Sequence, residues 1–172
     1  MRSISFDGLV LEPQTIEHAE AMFAVLGDPA IYEHENQPPS SVAWLRARFK
    51  KLECRASPDG RERWLNWVIR VPGAGLIGYV QATVHPDGTA TIAYVLSSAY
   101  WGRGLAGKAV QAMIRELVAG YRVQTLFAIL KASNARSHRL LVRLGFLPAS
   151  SEMLSRRSVE ADEILMFRDE LQ

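Results

Sequence analysis

The sequence predicts a mixed α/β protein: a mostly antiparallel sheet flanked by helices, in the order β-α-α-β-β-β-α-β-α-β-β. Three observations lead there. The strand-like runs "RWLNWVIRV", "LIGYVQATV" and "TATIAYVL" follow one another with only "PGAG" and "HPDG" between them, the spacing of an antiparallel meander. Segments with helical periodicity lie on both sides of that meander. A continuous apolar run, "VQTLFAILKA", sits between two of the later helices and reads as a buried strand.

Each element has its own signal. "SISFDGLVLEP" reads as one first strand ending at Pro13, and Thr15 is placed to cap a helix over "IEHAEAMFAVL", which "GDP" closes. After the loop "NQPPSS", Ser40 or Ser41 caps a second helix, "VAWLRARFKKLECRA". The turn "SPDG" leads into the meander. There Trp64 and Trp67 point to opposite sides of the first strand, one into the core and the other free to line a pocket. The loop "SSAYWGRG" opens a helix to about Val118, with Ala106, Ala109, Val110, Met113 and Leu117 on one face. "NARSHRLLVRL" is a short helix, and "GFLPA" and "EILMFRDEL" are two last strands. No repeat, linker or low-complexity tract divides the chain, so residues 1–172 are expected to form a single domain.

A chain of 172 residues, 48% apolar and 22% charged, can bury a substantial core without disulfide or metal staples. The lone Cys54 makes neither an internal disulfide nor a cysteine zinc site, which favours a reducing compartment. The N-terminus has no apolar signal segment and no run reaches bilayer-spanning length, so a cytoplasmic protein without membrane association is expected. The formal net charge of +2 is unevenly spread. Residues 1–37 hold seven acids against Arg2, while residues 101–143 hold eight bases against Glu116. The basic segment suits an anionic ligand. Nucleic acid is not indicated, because the bases are not interleaved with aromatics and no recognition motif is present.

The stretch "YWGRGLAGKAV", Tyr100 to Val110, puts three glycines and two cations at the start of a helix. Gly102 to Lys108 spells most of a nucleotide P-loop, but Ala109 stands where Ser or Thr would hold Mg²⁺. The next strand ends in Lys131 rather than in an acid, so the second metal anchor is missing too. Coenzyme A needs neither. Its pyrophosphate can sit on backbone N–H groups at a helix N-terminus, where Gly102, Gly104 and Gly107 let the chain close in and Ala106 avoids crowding. Arg103 and Lys108 add positive charge. On the loop alone, a plain glycine-rich turn into a helix remains equally open.

Twenty-eight residues past Ala106 comes a second pattern: Asn134, Ser137 and then Leu144-Gly145-Phe146. Together the two motifs resemble the GNAT superfamily of N-acetyltransferases, closest to the branch that includes the Rim-type ribosomal-protein N-terminal acetyltransferases. Trp101-Gly102-Arg103-Gly104-Leu105-Ala106 fits that family's Q/R-x-x-G-x-G/A loop except at Trp101, a departure many Rim-type sequences share. The element order agrees as well, so the resemblance spans essentially the whole chain. It implies a splayed strand pair, "TATIAYVL" and "VQTLFAILKA", with acetyl-CoA between them as co-substrate and no metal. Backbone groups near Val95 and Leu96 would pair with the pantetheine arm, and Asn134 would hydrogen-bond it near the thioester. Asn134 also fits an ordinary helix N-cap.

The implied reaction is direct attack of a neutral amine on the acetyl thioester. It needs a base, an oxyanion donor and a proton for the departing thiolate. The resemblance gives the Leu96 N–H as oxyanion donor. Many members place a Tyr five residues before the motif's Phe, where this chain has Leu141; Ser137 takes the role of thiolate partner instead. The sequence does not identify the base: Glu33, His34 and Glu35 lie in the loop between the first two helices, which in this family borders the acceptor site, with Glu33 carried as the candidate and a water chain as the alternative. The acidic first 37 residues at one mouth of the cleft and the basic segment at the other imply a cationic primary amine as acceptor. A protein or peptide N-terminus comes first, a polyamine or aminoglycoside-like amine second. The chain is expected to act as a monomer or homodimer. A non-catalytic acyl-CoA-binding or sensing module on the same fold stays open as the rival.

Overall fold

The structure, a computed structural model, describes residues 1–34 and 37–170. One eight-stranded sheet runs through it: β1 (Ile4–Phe6), β2 (Leu9–Pro13), β3 (Arg63–Val71), β4 (Gly75–Val84), β5 (Thr89–Leu96), β6 (Thr125–Lys131), β7 (Leu147–Pro148) and β8 (Glu163–Asp169). The spatial order is β1-β2-β3-β4-β5-β6-β8-β7, and only the β5–β6 pair is parallel. The helices are α1 (Ala19–Leu26), α2 (Val42–Leu52), α3 (Leu105–Tyr121), α4 (Ala135–Arg143) and α5 (Ser151–Ser155). The mixed, mostly antiparallel architecture expected from the sequence is therefore present.

Three details differ from the sequence expectation. The first strand is a hairpin, because Asp7 and Gly8 both take positive φ (45° and 82°) and fold β1 back on β2. Such an Asp-Gly pair is the preferred two-residue hairpin turn. The first helix begins as a 3₁₀ turn over Ile16–His18, where the Thr15 N–H donates to His18 Nδ1 at 3.0 Å. The short helix α5, capped by Ser150 Oγ on the Met153 N–H, interrupts the run between the last two strands. Elsewhere the local signals correspond to elements: Ser41 caps α2, and α3 continues three residues past Val118 to close at Arg122 in the left-handed region.

The sheet's two faces bury different helices. Trp67, Val80 and Ile92 share one cluster with Val110, Met113, Ile114 and Leu117 of α3, the apolar stripe visible in the sequence. On the opposite face Met22 and Leu26 of α1 and Leu45 and Phe49 of α2 pack over Val68. Trp67 is fully buried and its indole N–H reaches the Arg2 carbonyl at 3.2 Å. Trp64 points the other way and donates to Glu62 at 3.1 Å instead of lining a pocket.

The tightest backbone approach is at Gly78 of β4, opposite Leu96. A Cβ there would overlap the Val95 carbonyl oxygen and lie 2.9 Å from the Leu96 Cα. Neither is a flexible side-chain end, so the strands would have to separate. Gly78→Ala should therefore lower stability by about 1–3 kcal/mol, read as a drop in the urea midpoint without a change in slope. An unchanged midpoint would mean that β4 and β5 are not held this closely.

Candidate active site

β5 and β6 pair only from Thr89–Thr91 to Thr125–Phe127. Beyond that, β5 stays on β4 as far as Leu96, and β6 stays on β8 as far as Lys131. The two strands thus diverge, and the β6-facing edge of β5 from Ile92 to Leu96 has no strand partner. Backbone N–H and C=O groups in such a gap need other partners.

The chain leaving β5 forms the glycine loop. A 3₁₀ turn over Ser98–Tyr100 is followed by Gly102 and Gly104, both at φ 75°, a region open to glycine at little cost. Gly104 is the N-cap of α3 and provides no side-chain cap, so the first N–H groups of this 17-residue helix lack an intrahelical partner. A Cβ placed at Gly102, Gly104 or Gly107 would meet nothing within 4 Å, which leaves the space over those N–H groups open. The loop is fixed at both ends. Asp28 accepts hydrogen bonds from the Ser98 N–H at 2.6 Å and the Ala30 N–H at 3.1 Å. The Ser98 bond holds this carboxyl below its usual range. Its stabilising contribution is complete above the ordinary carboxylate pKa and is lost as pH falls through the lowered value. At the other end the Trp101 indole N–H donates to the Leu96 carbonyl at 2.9 Å.

A hollow of about 530 Å³ lies against this loop. Arg136, Arg139 and Arg143 of α4 line it opposite Gly102, Gly104 and Gly107. Their spacing of three and four residues puts them on one helix face, a signal the sequence carried and the site assignment did not use. Arg136 stacks on the Trp101 ring at 3.6 Å, and Arg103 sits over Tyr100 at 5.5 Å. Lys108 differs from its sequence expectation: its ammonium pairs with Asp7 at 2.9 Å, so α3 is tied to the β1–β2 turn. The arginines of α4 face the hollow in its place.

The hollow continues between Leu96, Trp101 and Ala106 on one side and Asn134, Ser137 and Leu140 on the other. It then opens into a cleft of about 330 Å³ that reaches α1 and α2. Val95, His34, Tyr94, Asn134 and Ser137 stand at that junction, lining both passages. Asn134 Oδ1 caps α4 by accepting from the Ser137 N–H at 3.0 Å. Ser137 Oγ in turn meets the Tyr94 hydroxyl at 2.5 Å. Burial pushes the Tyr94 phenol up to about 12, so it keeps its proton at neutral pH. Sequence reasoning missed Tyr94, which alternates normally along a strand and reaches Ser137 only because β5 and β6 part.

Glu33 does not line the cleft. Its side chain is 63% exposed and its carboxylate lies 3.9 Å from His34 Nε2. His34 Nδ1 lies 3.2 Å from Ser133 Oγ, bridging the α1–α2 loop to the start of α4. Glu35 lies outside the described residues. None of the described acids of the first 37 residues lines the cleft, and four of the six serve the framework. Asp7 pairs with Lys108, Glu12 with Arg70, Glu20 with Arg46, and Asp28 holds backbone N–H groups.

A glycine-loop helix at a splayed strand pair, leading to a second cleft, defines an acyl-CoA-dependent transferase fold. The chain matches the acetyltransferase (GNAT) domain over residues 8–147 and belongs to that family, whose activity is acyl transfer from acetyl-CoA. Solved structures agree in fold. A GNAT-family acetyltransferase from Bacillus anthracis superposes with a TM-score of 0.77 at 16% identity, covering 99% of both chains. The ribosomal-protein-S5-alanine acetyltransferase of Vibrio fischeri gives 0.78 at 18% identity over 99% of this chain and 97% of that one. Mycobacterium smegmatis RimJ, in complex with CoA-disulfide, gives 0.78 at 18% over 98% and 86%. The fold is thus one that Rim-type acetyltransferases share. No helix among the described residues is long and apolar enough to cross a membrane.

The loop geometry makes one residue decisive. Gly104→Val would force a β-branched side chain to φ 75° and into the space over the α3 N–H groups. Acetyl-CoA affinity should fall by on the order of 100-fold, about 2.7 kcal/mol, in a calorimetric titration. Wild-type affinity in a folded variant would move the phosphate site elsewhere.

Proposed function

We propose that this protein is an acetyl-CoA-dependent N-acetyltransferase acting on a primary amine, with the whole chain as one catalytic domain in the cytoplasm. The observation that carries the reading is the unbroken passage from the glycine loop, through the β5–β6 gap, to a separate cleft. The donor enters from the α3–α4 side and the acceptor amine from the α1–α2 side, and they meet beside Ser137. Holding both reactants in one passage supplies much of the rate.

His34 and Tyr94 are the titratable side chains that line both passages, and they divide the proton work. Tyr94 stays protonated and donates to Ser137 Oγ, which leaves the Ser137 hydroxyl proton free for the departing thiolate. The thiolate gains that proton as the C–S bond breaks, and Ser137 is resupplied from Tyr94 and solvent. His34 takes the ammonium proton before attack, with Glu33 steadying the imidazole from the solvent side. The Leu96 N–H, on the free stretch of β5, faces the developing oxyanion. The amide of Asn134 holds the pantetheine arm; the Val95 carbonyl expected to join it faces Gly78 of β4 instead, so Val95 contributes its side of the wall and not a backbone pair. Gly102, Arg103, Gly104, Ala106 and Gly107 hold the pyrophosphate with the α4 arginines, and no metal takes part.

Ser137→Ala should lower kcat by about 100-fold while the KM for acetyl-CoA changes little. Tyr94→Phe should lower it less, and the double variant should be no slower than Ser137→Ala alone, because the phenol acts through the serine. Additive losses would separate the two groups. His34→Gln should lower kcat/KM by about 100-fold with acetyl-CoA affinity unchanged, whereas wild-type kcat/KM would assign the base elsewhere.

Acetyl-CoA should bind equally well in excess chelator, as backbone N–H groups and arginines suffice for the pyrophosphate. Binding that appears in calorimetry only with Mg²⁺ would contradict this account of the loop.

A further inference from the structure

Three carboxamides cross the floor of the acceptor cleft in one row. Gln81 of β4 stands opposite Ala93 of β5, and Asn66 of β3 stands opposite Gln81. Gln14, just past β2, adjoins Asn66 through a 2.9 Å backbone hydrogen bond from its N–H to the Asn66 carbonyl. Residues in register across a sheet share a face. Along the strands on this face, Val68, Tyr79 and Val95 are covered by α1 and α2. The amide row lies where that cover gives way to the cleft. Gln14 is 6% exposed and Asn66 8%, yet none of the three side chains has a hydrogen-bond partner among the described residues. Gln14 Nε2 in particular is fully enclosed and unpaired.

Buried amides without partners are costly and uncommon. Two buried amides, with the partly exposed Gln81 completing the row, form a surface beside the cleft that a ligand offering carbonyl or amide groups can complete. Charge narrows the class further. Among the described residues lining the cleft there is no carboxylate, and the single permanent charge is Arg48 of α2. Its guanidinium stacks near the Trp44 ring, 5.7 Å from the centroid, and has no acidic partner among the described residues. Among the described residues this wall offers an anion one cationic partner and offers a second ammonium no carboxylate.

We infer that the acceptor is a monoamine bearing an amide or carbonyl group near the amine and a carboxylate beyond it, selected by Gln14, Asn66, Gln81 and Arg48. This rests on the transferase reading above and deepens it. The row spans roughly two strand spacings, ~10 Å. That length accommodates a short extended peptide as readily as a free amino acid, and both carry the required groups.

The test compares Ala-Gly-Glu with Ala-Gly-Gln, Ala-Gly-Lys, free glutamate, propylamine and spermidine as acceptors at low salt. The acidic tripeptide or free glutamate should lead, with Ala-Gly-Glu exceeding Ala-Gly-Lys by about tenfold in kcat/KM. Which of the two leads tells a peptide acceptor from an amino acid. Arg48→Glu should invert the Glu/Lys order while leaving acetyl-CoA affinity unchanged, a gain that misfolding cannot produce. Gln14→Leu should slow the tripeptide about tenfold and leave propylamine unaffected. Preference for spermidine or the lysine peptide, or an order that survives Arg48→Glu, overturns the inference and leaves the transferase intact. Bound acetyl-CoA with no acceptor acetylated at all brings down the transferase reading, and this inference with it.

Discussion

The structure depends on where the β5–β6 ladder ends. Three residues of parallel pairing join the two halves of the sheet, and beyond them the strands part. Each strand is held firmly on its other side: β5 by seven register pairs with β4, and β6 by seven with β8. The gap is therefore a feature of a rigid sheet, not a frayed edge. Both strands lead directly into helices, so α3 and α4 begin at the open end with Gly104 and Asn134 as their first caps. Two helix N-termini facing one crevice form a ready place for an anionic ligand, as at the parting of strands in other α/β sheets. Gly78 is the counterpart of the gap. The β4–β5 approach that only glycine permits keeps β5 from relaxing toward β6.

Electrostatics follow the same division. On the donor side the arginines of α4 remain facing the hollow, while Lys108 is drawn away to Asp7. On the acceptor side Asp7, Glu12, Glu20 and Asp28 of the N-terminal segment are engaged in the framework. Most of these pairs are partly exposed and contribute little stability individually. Their larger consequence is for the cleft, because a carboxylate bound to Arg70 or to the Ser98 N–H is not available to an incoming ammonium. Net charge along a segment thus proved a poor guide to the potential inside the neighbouring pocket.

What was legible in the sequence was local. The α3 stripe, the meander turns, the glycine loop and the Asn134 cap all rest on residues a few positions apart. The Asp7-Gly8 turn is equally local, although the apolar run around it is short enough to pass as one strand. What was not legible depends on register and long-range partners. Lys108 meets an aspartate from the first hairpin, and Gln14, Asn66 and Gln81 become a row only once three strands are aligned. Glu33 and His34 are adjacent in sequence, so only the fold of the loop decides which of them faces the cleft.

Tyr94 shows why such a site tolerates a change in which element supplies a hydroxyl. The position on α4 where the family resemblance implies a tyrosine is Leu141 here, 1% exposed and packed in the core. A phenol reaches the junction all the same, from β5 on the opposite wall, and meets Ser137 one helical turn after Asn134. The gap is lined from both sides, by a strand edge and by the first turn of a helix. A proton donor can therefore enter from either without moving the backbone that binds the donor substrate. The price is burial: the strand-borne phenol is deep enough that its own pKa rises to about 12. Behind Ser137 it can pass its proton through the serine hydroxyl to the departing thiolate in one concerted relay and regain a proton from solvent, while between turnovers it stays neutral.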